Sequence, residues 1–346
     1  MEKIKTGLAA FGTSGKIFHA PFLACHPGFE LRAVVERNKK EAATLYPGIQ
    51  SMDRYEDLLN DPEIELVVIN VPDALHFEFA HKALKSNKHV VIEKPFVHTV
   101  GQAEELINLA QHKKKILSVY HNRRWDGDSL TVRNILDQKL LGRIVEFQTN
   151  FTRYRPSPDK TTWKENGAVT GLAYNLGSHL IYEALSFFGM PSAVYADLDT
   201  FRTGGEIDDY FMIRLYYPKM RAILRGSYLE REPSPRYAIH GEKGSFVKWG
   251  TDPQEAALKS HSIPSGKRWG IEDPQYSGVL HTETEGGISR EKISTLPGNY
   301  GLFYDNLYEA VRNRDPLIVQ PTDAAKVIQI LEAAFRSHDE GSLIEL

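Results

Sequence analysis

The chain of 346 residues contains a single cysteine, Cys25, which excludes an internal disulfide and a cysteine-built zinc site. Charge of one sign is missing too. Lys+Arg number 42 against 45 Asp+Glu, a formal net charge of -3, and this argues against a nucleic-acid partner. Long hydrophobic runs are absent. The apolar stretch near the start is cut short by Gly12-Thr13-Ser14-Gly15-Lys16. Neither a signal peptide nor a membrane span is expected, and the cytoplasm is the default compartment. The 13 histidines are scattered without a zinc-type helical pair, so no metal site is expected. No internal repeat or low-complexity tract is found. What remains is 41% hydrophobic and 25% charged, ordinary for a globular protein whose length suggests two domains.

The first third alternates strands and helices. Strand patterns cover 4–10, 31–35, 64–71, 89–92 and 116–120, with helical patterns over 16–24, 39–46, 55–59, 75–85 and 100–111. Such alternation indicates βαβ units and a parallel sheet, and apolar runs of this kind suit strands covered on both faces. After Tyr120 the period changes. A helix over 130–139 precedes alternating segments at 144–154, 194–201, 210–216, 222–228 and 237–240. Period-two alternation signals half-buried strands of an antiparallel sheet. Helices over 302–312 and 322–337 close the chain, and 259–287 reads as a long loop. The expected fold class is α/β, with a nucleotide-binding domain over 1–122 and a second, α+β domain over 123–346.

Ala10-Phe11-Gly12-Thr13-Ser14-Gly15 follows the first strand and opens a helix. Against the Gly-x-Gly-x-x-Gly fingerprint the first glycine is Ala10. Gly12 would admit a pyrophosphate, Gly15 would allow helix–strand packing, and Thr13 and Ser14 lie between them. Helix N-terminal amides favour the phosphate charge. Taken alone, the motif also fits a glycine-rich turn with no ligand. Glu36 closes the second strand, where an acid binds the adenosine ribose, although a solvated carboxylate fits there too. Arg37 could take a 2′-phosphate or stack on adenine. This balance favours NAD(H) and leaves NADP(H) open. Pro72 and His76, after the third long strand, could border the cofactor, while His76 alone reads equally as a helix-start residue.

Lys94, in Glu93-Lys94-Pro95, follows the apolar run His89-Val90-Val91-Ile92. Ligands of open α/β sheets bind outside the carboxyl ends of the strands, so Lys94 is expected to face a ligand crevice. A lysine is rarely buried without a partner. His121-Asn122-Arg123-Arg124-Trp125 follows the last parallel strand, and its polar groups emerge at the same end unless it is a charged linker. Farther on, Arg153 and Arg155 add cationic donors beside aromatic residues. Gly171-Leu172-Ala173-Tyr174-Asn175-Leu176-Gly177-Ser178-His179 opens an apolar helix, with Asn175 and His179 four residues apart on one face. A histidine on such a helix is by itself more often a packed residue.

Together these residues resemble the Gfo/Idh/MocA family of oxidoreductases. The carriers are Ala10 to Gly15, Glu93-Lys94-Pro95 and Gly171 to His179, and the further matches are Gly15 to Pro21, Tyr120 to Asp126, Arg153 to Pro156, Tyr237 to Gly241 and Asp252 to Glu255. The resemblance covers essentially the whole chain and is closest to inositol-dehydrogenase-like members. It implies an N-terminal Rossmann domain and a C-terminal domain on a large open, mostly antiparallel sheet. It also implies hydride transfer between nicotinamide and a carbon of a cyclitol, sugar or sugar acid. The family's lysine falls on Lys94 and its catalytic histidine on His179. Asn175 and Tyr182 stand where members usually carry aspartates; an asparagine can hydrogen-bond a hydroxyl but cannot take its proton.

The expected chemistry is oxidation of a secondary alcohol, reversible as ketone reduction. His179 acts as base, Lys94 and Glu93 border the cofactor, and Lys94 also stabilises the alkoxide. Asn175 orients the substrate, and Asn122, Arg124, Arg153 and Arg155 bind its other groups. Trp163 is expected to shield nicotinamide. The departures at Asn175 and Tyr182 keep a dinucleotide-binding sensor as an alternative, with an NAD-dependent glycosidase as a third reading. The antiparallel sheet, with Tyr195, Phe211 and Tyr216 on one face or the other, is the expected surface of a homodimer or homotetramer.

Overall fold

The computed structural model describes residues 2–38, 40–162, 165 and 170–346. The chain separates into two compact units: Met1–Trp125 with Gln254–Trp269 and Asn299–Ala325, and Asp126–Pro253 with Gly270–Gly298 and Lys326–Leu346.

The first unit is built on six strands, β1 (Ile4–Leu8), β2 (Phe29–Val35), β3 (Gln50–Met52), β4 (Leu66–Ile69), β5 (His89–Ile92) and β6 (Leu117–Val119). All neighbours are parallel and the order is β3-β2-β1-β4-β5-β6. This is the doubly wound order, with its switch point between β1 and β4. Leu66 to Ile69 and Val90 to Ile92 are fully buried, as strands with both faces covered must be. The helices are α1 (Ala20–Cys25), α2 (Ala42–Leu45), α3 (Tyr55–Asn60), α4 (His76–Lys85) and α5 (Val100–Lys113).

Two of these helices differ from the sequence pattern for local reasons. The helix expected over 16–24 enters through a π-helical turn, Gly15–His19, before α1. Of the one expected over 39–46, residue 39 lies outside the described residues and the helix observed is α2, at whose start the Glu36 carboxylate accepts from the backbone N–H groups of Glu41 and Ala42.

The second unit holds β7 (Ile144–Thr152), β8 (Ala193–Asp199), β9 (Tyr210–Tyr217), β10 (Met220–Ser227), β11 (Tyr237–Gly241), β12 (Gly244–Lys248), β13 (Gly278–Thr284), β14 (Gly287–Ile293) and β15 (Ile344–Glu345), with α6 (Gly127–Asp137) and α7 (Ser178–Phe188). The strands form one nine-stranded sheet, β14-β13-β12-β11-β7-β10-β9-β8-β15. Only the β7–β10 pair is parallel among them.

Burial alternates along β9. Phe211, Ile213, Leu215 and Tyr217 are buried, while Tyr210, Met212, Arg214 and Tyr216 are half-buried. Phe211 is therefore a core residue and not part of an exposed face, whereas Tyr195 and Tyr216 are half-buried. The stretch 259–287, expected as loop, contains β13. That strand buries only Gly278, Leu280 and Thr282, and its partner β14 is almost wholly exposed, so backbone pairing rather than apolar alternation defines it.

Two late helices, α8 (Gln254–Lys259) and α9 (Gly301–Arg312), cluster with the first unit, although the sequence assigns 123–346 to the second domain. Aromatic packing accounts for α9: Tyr304 stacks on Phe22 at 5.8 Å and meets Phe29 edge-on at 5.9 Å, and Phe303 meets Tyr120 at 4.9 Å. The last helix, α10 (Pro321–Glu340), is divided between the units. Among the described residues no helix is long and apolar enough to cross a membrane.

Candidate functional site

In the first unit the turn after β1 is clamped by Asn70, which follows β4. Its side chain accepts from the Ala10 N–H at 3.0 Å and donates to the Ala10 carbonyl at 2.8 Å. A Cβ on Gly15 would lie 2.7 Å from that carbonyl oxygen and 2.8 Å from Asn70 Nδ2, so this contact requires glycine. Gly12 is the opposite case. Among the described residues, none apart from its chain neighbours comes within 4 Å of where its Cβ would be, and Thr13 beside it is exposed. The turn is thus packed on one side and open on the other, which fits a dinucleotide pyrophosphate approaching the backbone at Gly12.

Glu36 is buried with its oxygens already engaged. Oε1 accepts from the Glu41 N–H at 2.9 Å and the Ala42 N–H at 3.2 Å, and Oε2 accepts from the Ala42 N–H at 3.2 Å and the Ser51 hydroxyl at 2.8 Å. Three donors thus hold it, the Ala42 N–H shared between both oxygens, against the four or so lone-pair positions that a carboxylate offers. Beside it lies a cavity of about 310 Å³, lined by Ala10, Gly12, Lys16, Val35, Glu36, Arg37 and Asn38. Arg37 and Asn38 are exposed, and Lys16 pairs with Glu41.

Pro72 is exposed at the start of a short 3₁₀ turn, Asp73–Leu75. His76 is fully buried, with Nδ1 2.8 Å from the Pro95 carbonyl and Nε2 3.1 Å from the Val71 carbonyl. The ring braces two strand-end loops and offers no surface to a ligand.

Lys94 is half-buried, and its peptide bond to Pro95 is cis. Its neighbour Glu93 accepts hydrogen bonds from the Ser14 hydroxyl and the Lys94 backbone N–H, the latter at 3.1 Å, and lies 3.0 Å from His19 Nε2. Burial pushes the Glu93 carboxyl up, but the hydrogen bond and charge of His19, the Ser14 hydroxyl and the Lys94 ammonium outweigh it and hold the group at about 2. His121, also buried, is pushed down to about 3 by burial and by the Lys94 charge, against the pull of Glu93. The Ser14–Glu93 bond ties the glycine turn to the lysine loop. In the 3₁₀ turn Asn122–Trp125, Asn122 is buried, Arg124 is half-buried, and Arg123 donates to Glu255 at 2.7 Å.

In the second unit a π-helical turn, Ala173–Gly177, runs directly into α7. Asp208 caps this start, accepting from the Ala173 N–H at 2.7 Å. A Cβ on Gly171, whose φ is +109°, would collide with the same carboxylate. Burial raises the Asp208 carboxyl to about 6, against the lowering effect of the backbone N–H groups of Ala173 and Leu172. Asn175 is half-buried in the turn and His179 is buried in the first turn of α7, its ring 6.5 Å from Phe151. Tyr182 is buried.

Behind them, Arg236 lies over the rings of Phe151 at 4.0 Å and Tyr237 at 4.2 Å. It pairs with Glu183 and Thr149, with Nε 3.4 Å from Asp128. Arg153 is half-buried, its N–H bonded to the Ser227 carbonyl at 2.8 Å, and Arg155 is exposed over the Tyr228 ring at 5.6 Å. Trp163 lies outside the described residues.

Four contributors escaped the sequence reading. Asn70, Tyr304 and Asp208 sit in no motif, and His19 was visible only as one letter of the Gly15-to-Pro21 match. Single-sequence patterns carry no signal for side chains that meet partners 35 to 285 positions away.

A parallel sheet in this order, with an open glycine turn at its switch point, defines a Rossmann dinucleotide-binding protein. The chain belongs to the Gfo/Idh/MocA family: the family's NAD-binding Rossmann fold matches residues 4–121 and its C-terminal alpha/beta domain matches residues 133–346. It is similar to the scyllo-inositol 2-dehydrogenase (NADP(+)) IolW of Bacillus subtilis (strain 168), with 36% identity over 346 residues that cover 100% of this chain and 97% of the relative. Among solved structures, the candidate oxidoreductase yvaA from Bacillus subtilis gives a TM-score of 0.96 at 37% identity, covering 100% of this chain and 99% of that one. A candidate oxidoreductase from Bacteroides fragilis gives 0.92 at 49% identity, covering 100% of both chains.

Proposed function

We propose that the protein is a dehydrogenase that interconverts a secondary alcohol and a ketone on a cyclitol, sugar or sugar acid. One observation carries this reading: Lys94 stands at the carboxyl end of β5 next to Glu93, which the Ser14 hydroxyl ties to a glycine turn open at Gly12. A bound nicotinamide supplies the hydride acceptor in oxidation and the donor in reduction. Lys94 donates a hydrogen bond to the reacting oxygen and stabilises the charge that develops there. His179 takes the hydroxyl proton as general base. Asn175 orients the same hydroxyl by hydrogen bonding, while Asn122, Arg124, Arg153 and Arg155 bind further hydroxyls or a carboxylate. The scyllo-inositol dehydrogenase relative supports a cyclitol-like substrate.

For the cofactor we favour NADP(H) over NAD(H), against the balance read from Glu36 in the sequence. Glu36 is held by the backbone of the loop that follows it and by Ser51 of β3, and Arg37 brings positive charge to the cavity beside it. Arg37→Ala should weaken NADP(H) about tenfold or more, the scale of a lost charge-assisted hydrogen bond, with little change for NAD(H). Equal weakening of both would remove Arg37 from the discrimination.

The deciding experiment follows absorbance at 340 nm with each dinucleotide and a panel of polyols, sugars and sugar acids. Turnover is expected, and Lys94→Ala should reduce it at least ~100-fold. Tight dinucleotide binding without turnover on any alcohol or ketone would sink the dehydrogenase reading in favour of a sensor.

A further inference from the structure

We propose that Glu93 is a positioning residue for the dinucleotide turn: its carboxylate, at the carboxyl end of β5, grips Ser14 and His19 together and so fixes the stretch that presents Gly12 to the pyrophosphate. Ser14 is then the tie and not a phosphate ligand. The proposal rests on dinucleotide binding at Gly12 and is independent of the roles given to Lys94 and His179. Its basis is a set of direct contacts within the first unit. Glu93 Oε1 accepts from the Ser14 hydroxyl and lies 3.0 Å from His19 Nε2. An ionised carboxylate only accepts, so the Ser14 hydroxyl and the His19 Nε2–H both donate to it. Phosphate oxygens accept too, and Ser14 has no hydroxyl hydrogen left for them. Among the described residues Ser14 also makes no capping bond to the turn it precedes, the usual use of a serine at that position.

The backbone explains how one oxygen reaches both side chains. Ser14 and His19 stand five positions apart, and on an α-helix they would point about 140° away from each other. The turn between them, Gly15–His19, is π-helical, and its i→i+5 repeat brings the two side chains to one face. His19 is fully buried, with Nδ1 2.7 Å from the Tyr304 hydroxyl of α9 and its ring packed 4.5 Å from that of Tyr120. Releasing Glu93 would strand His19 Nε2 in the interior, at the cost of an unmade hydrogen bond. The other end of the glycine turn is held by Asn70, bonded to the N–H and the carbonyl of Ala10 at 3.0 and 2.8 Å. Gly12 thus lies between two side-chain clamps, one following β4 and one following β5, and among the described residues only its chain neighbours crowd its α-carbon. A stretch held on both sides and bare in the middle is ordered before the ligand arrives, which removes an ordering cost from binding.

The test pairs hydrogen exchange by mass spectrometry, on the full-length protein without dinucleotide, with fluorescence titration of NADH and NADPH. In Ser14→Ala the peptide spanning Gly12 to His19 should exchange at least ~fivefold faster than in the wild type, as a released segment does. Dinucleotide affinity should fall roughly three- to tenfold, the scale of ordering one side chain and its loop on binding. Adding Ser14→Ala to Glu93→Ala should change the affinity by less than about twofold, since the tie is already cut. Weaker binding with exchange unchanged overturns the proposal and makes Ser14 a direct phosphate ligand. Faster exchange with affinity unchanged overturns it in favour of a purely structural bond. An equal loss from Ser14→Ala in both backgrounds overturns it as well. Should Glu93→Ala fail to fold, the two Ser14→Ala readings decide alone. A wild type that binds neither dinucleotide overturns it together with the reading of the glycine turn. Neither measurement needs turnover, so failure of the dehydrogenase reading would be seen separately.

Discussion

Arg236→Met should destabilise the second unit by about 3–5 kcal/mol at pH 7, the usual consequence of removing one partner from a buried charged cluster. Arg236, Glu183 and Asp128 are all essentially inaccessible to solvent. One guanidinium serves two carboxylates, donating to Glu183 and the Thr149 hydroxyl with Nε 3.4 Å from Asp128. Its faces are filled by Phe151 and Tyr237, so water has no route to replace it. Burial already pushes the Glu183 carboxyl up, Asp128 adds to the push, and Arg236 is the main opposing influence, with Tyr237 a smaller one. Methionine fills much of the volume but leaves both acids without a counter-charge.

The sign with pH follows directly. A carboxyl raised in the fold resists ionisation there, so its penalty is absent at low pH and grows as pH rises from the unfolded value through the folded one. The deficit of Arg236→Met should therefore be small near pH 4 and largest at neutral pH. Adding Glu183→Gln and Asp128→Asn should recover most of it. Urea unfolding followed by circular dichroism at pH 4, 5.5 and 7 gives each deficit from the midpoint and slope. A loss under 1 kcal/mol at pH 7, or one equal at all three values, would refute the reasoning.

Gly12→Ala and Gly15→Ala should separate ligand approach from packing. The first meets open space and should fold like the wild type while losing dinucleotide affinity in a fluorescence titration. The second meets the Ala10 carbonyl and should lower stability by about 1–3 kcal/mol by urea titration. Asp208→Ala removes the cap of the Ala173–Gly177 turn and should cost about 1 kcal/mol, read as a fall in urea midpoint, whereas Asp208→Asn should cost less because burial already disfavours the charged form. His121 and His89 are pushed down to about 3 and about 4 by burial, so the unfolded chain binds protons first as pH falls. Stability should be complete above about pH 6.5 and decline towards pH 4; a flat urea midpoint between pH 4.5 and 7 would contradict this.

Five of the six parallel strands were legible because they are apolar runs with helices recurring between them, whereas the three-residue edge strand β3, with no buried residue, was not. β4 and β5 read as continuous apolar runs and could hardly be anything else. β13 and β14 were not legible, since an exposed hairpin such as Gly278 to Ile293 keeps its register through backbone hydrogen bonds that leave no hydrophobic period. The glycine turn and Lys94 were found because motif and strand end coincide in sequence. Asn70, His19, Tyr304 and Asp208 act across long separations, and each residue type is common enough to be uninformative alone. His76 and Glu36 illustrate the converse: both sit where a ligand contact is expected, and burial commits both to backbone groups of their own unit.

Two half-buried carboxyl groups show how the same cause can end in opposite directions. Burial pushes both Glu93 and Asp208 towards the neutral acid. Glu93 falls to about 2 because a histidine, a hydroxyl and an ammonium group face it. Asp208 rises to about 6 because its donors are backbone N–H groups and its charged neighbour is another acid, Asp209. The lysine half of the proposed chemistry is therefore buffered against pH, whereas the cap of the turn carrying Asn175 changes charge near pH 6. An acid limb near pH 6 in kcat/KM that disappears in Asp208→Asn would trace that sensitivity to the cap. An acid limb that persists unchanged in Asp208→Asn would assign it elsewhere, with His179 as the first group to test.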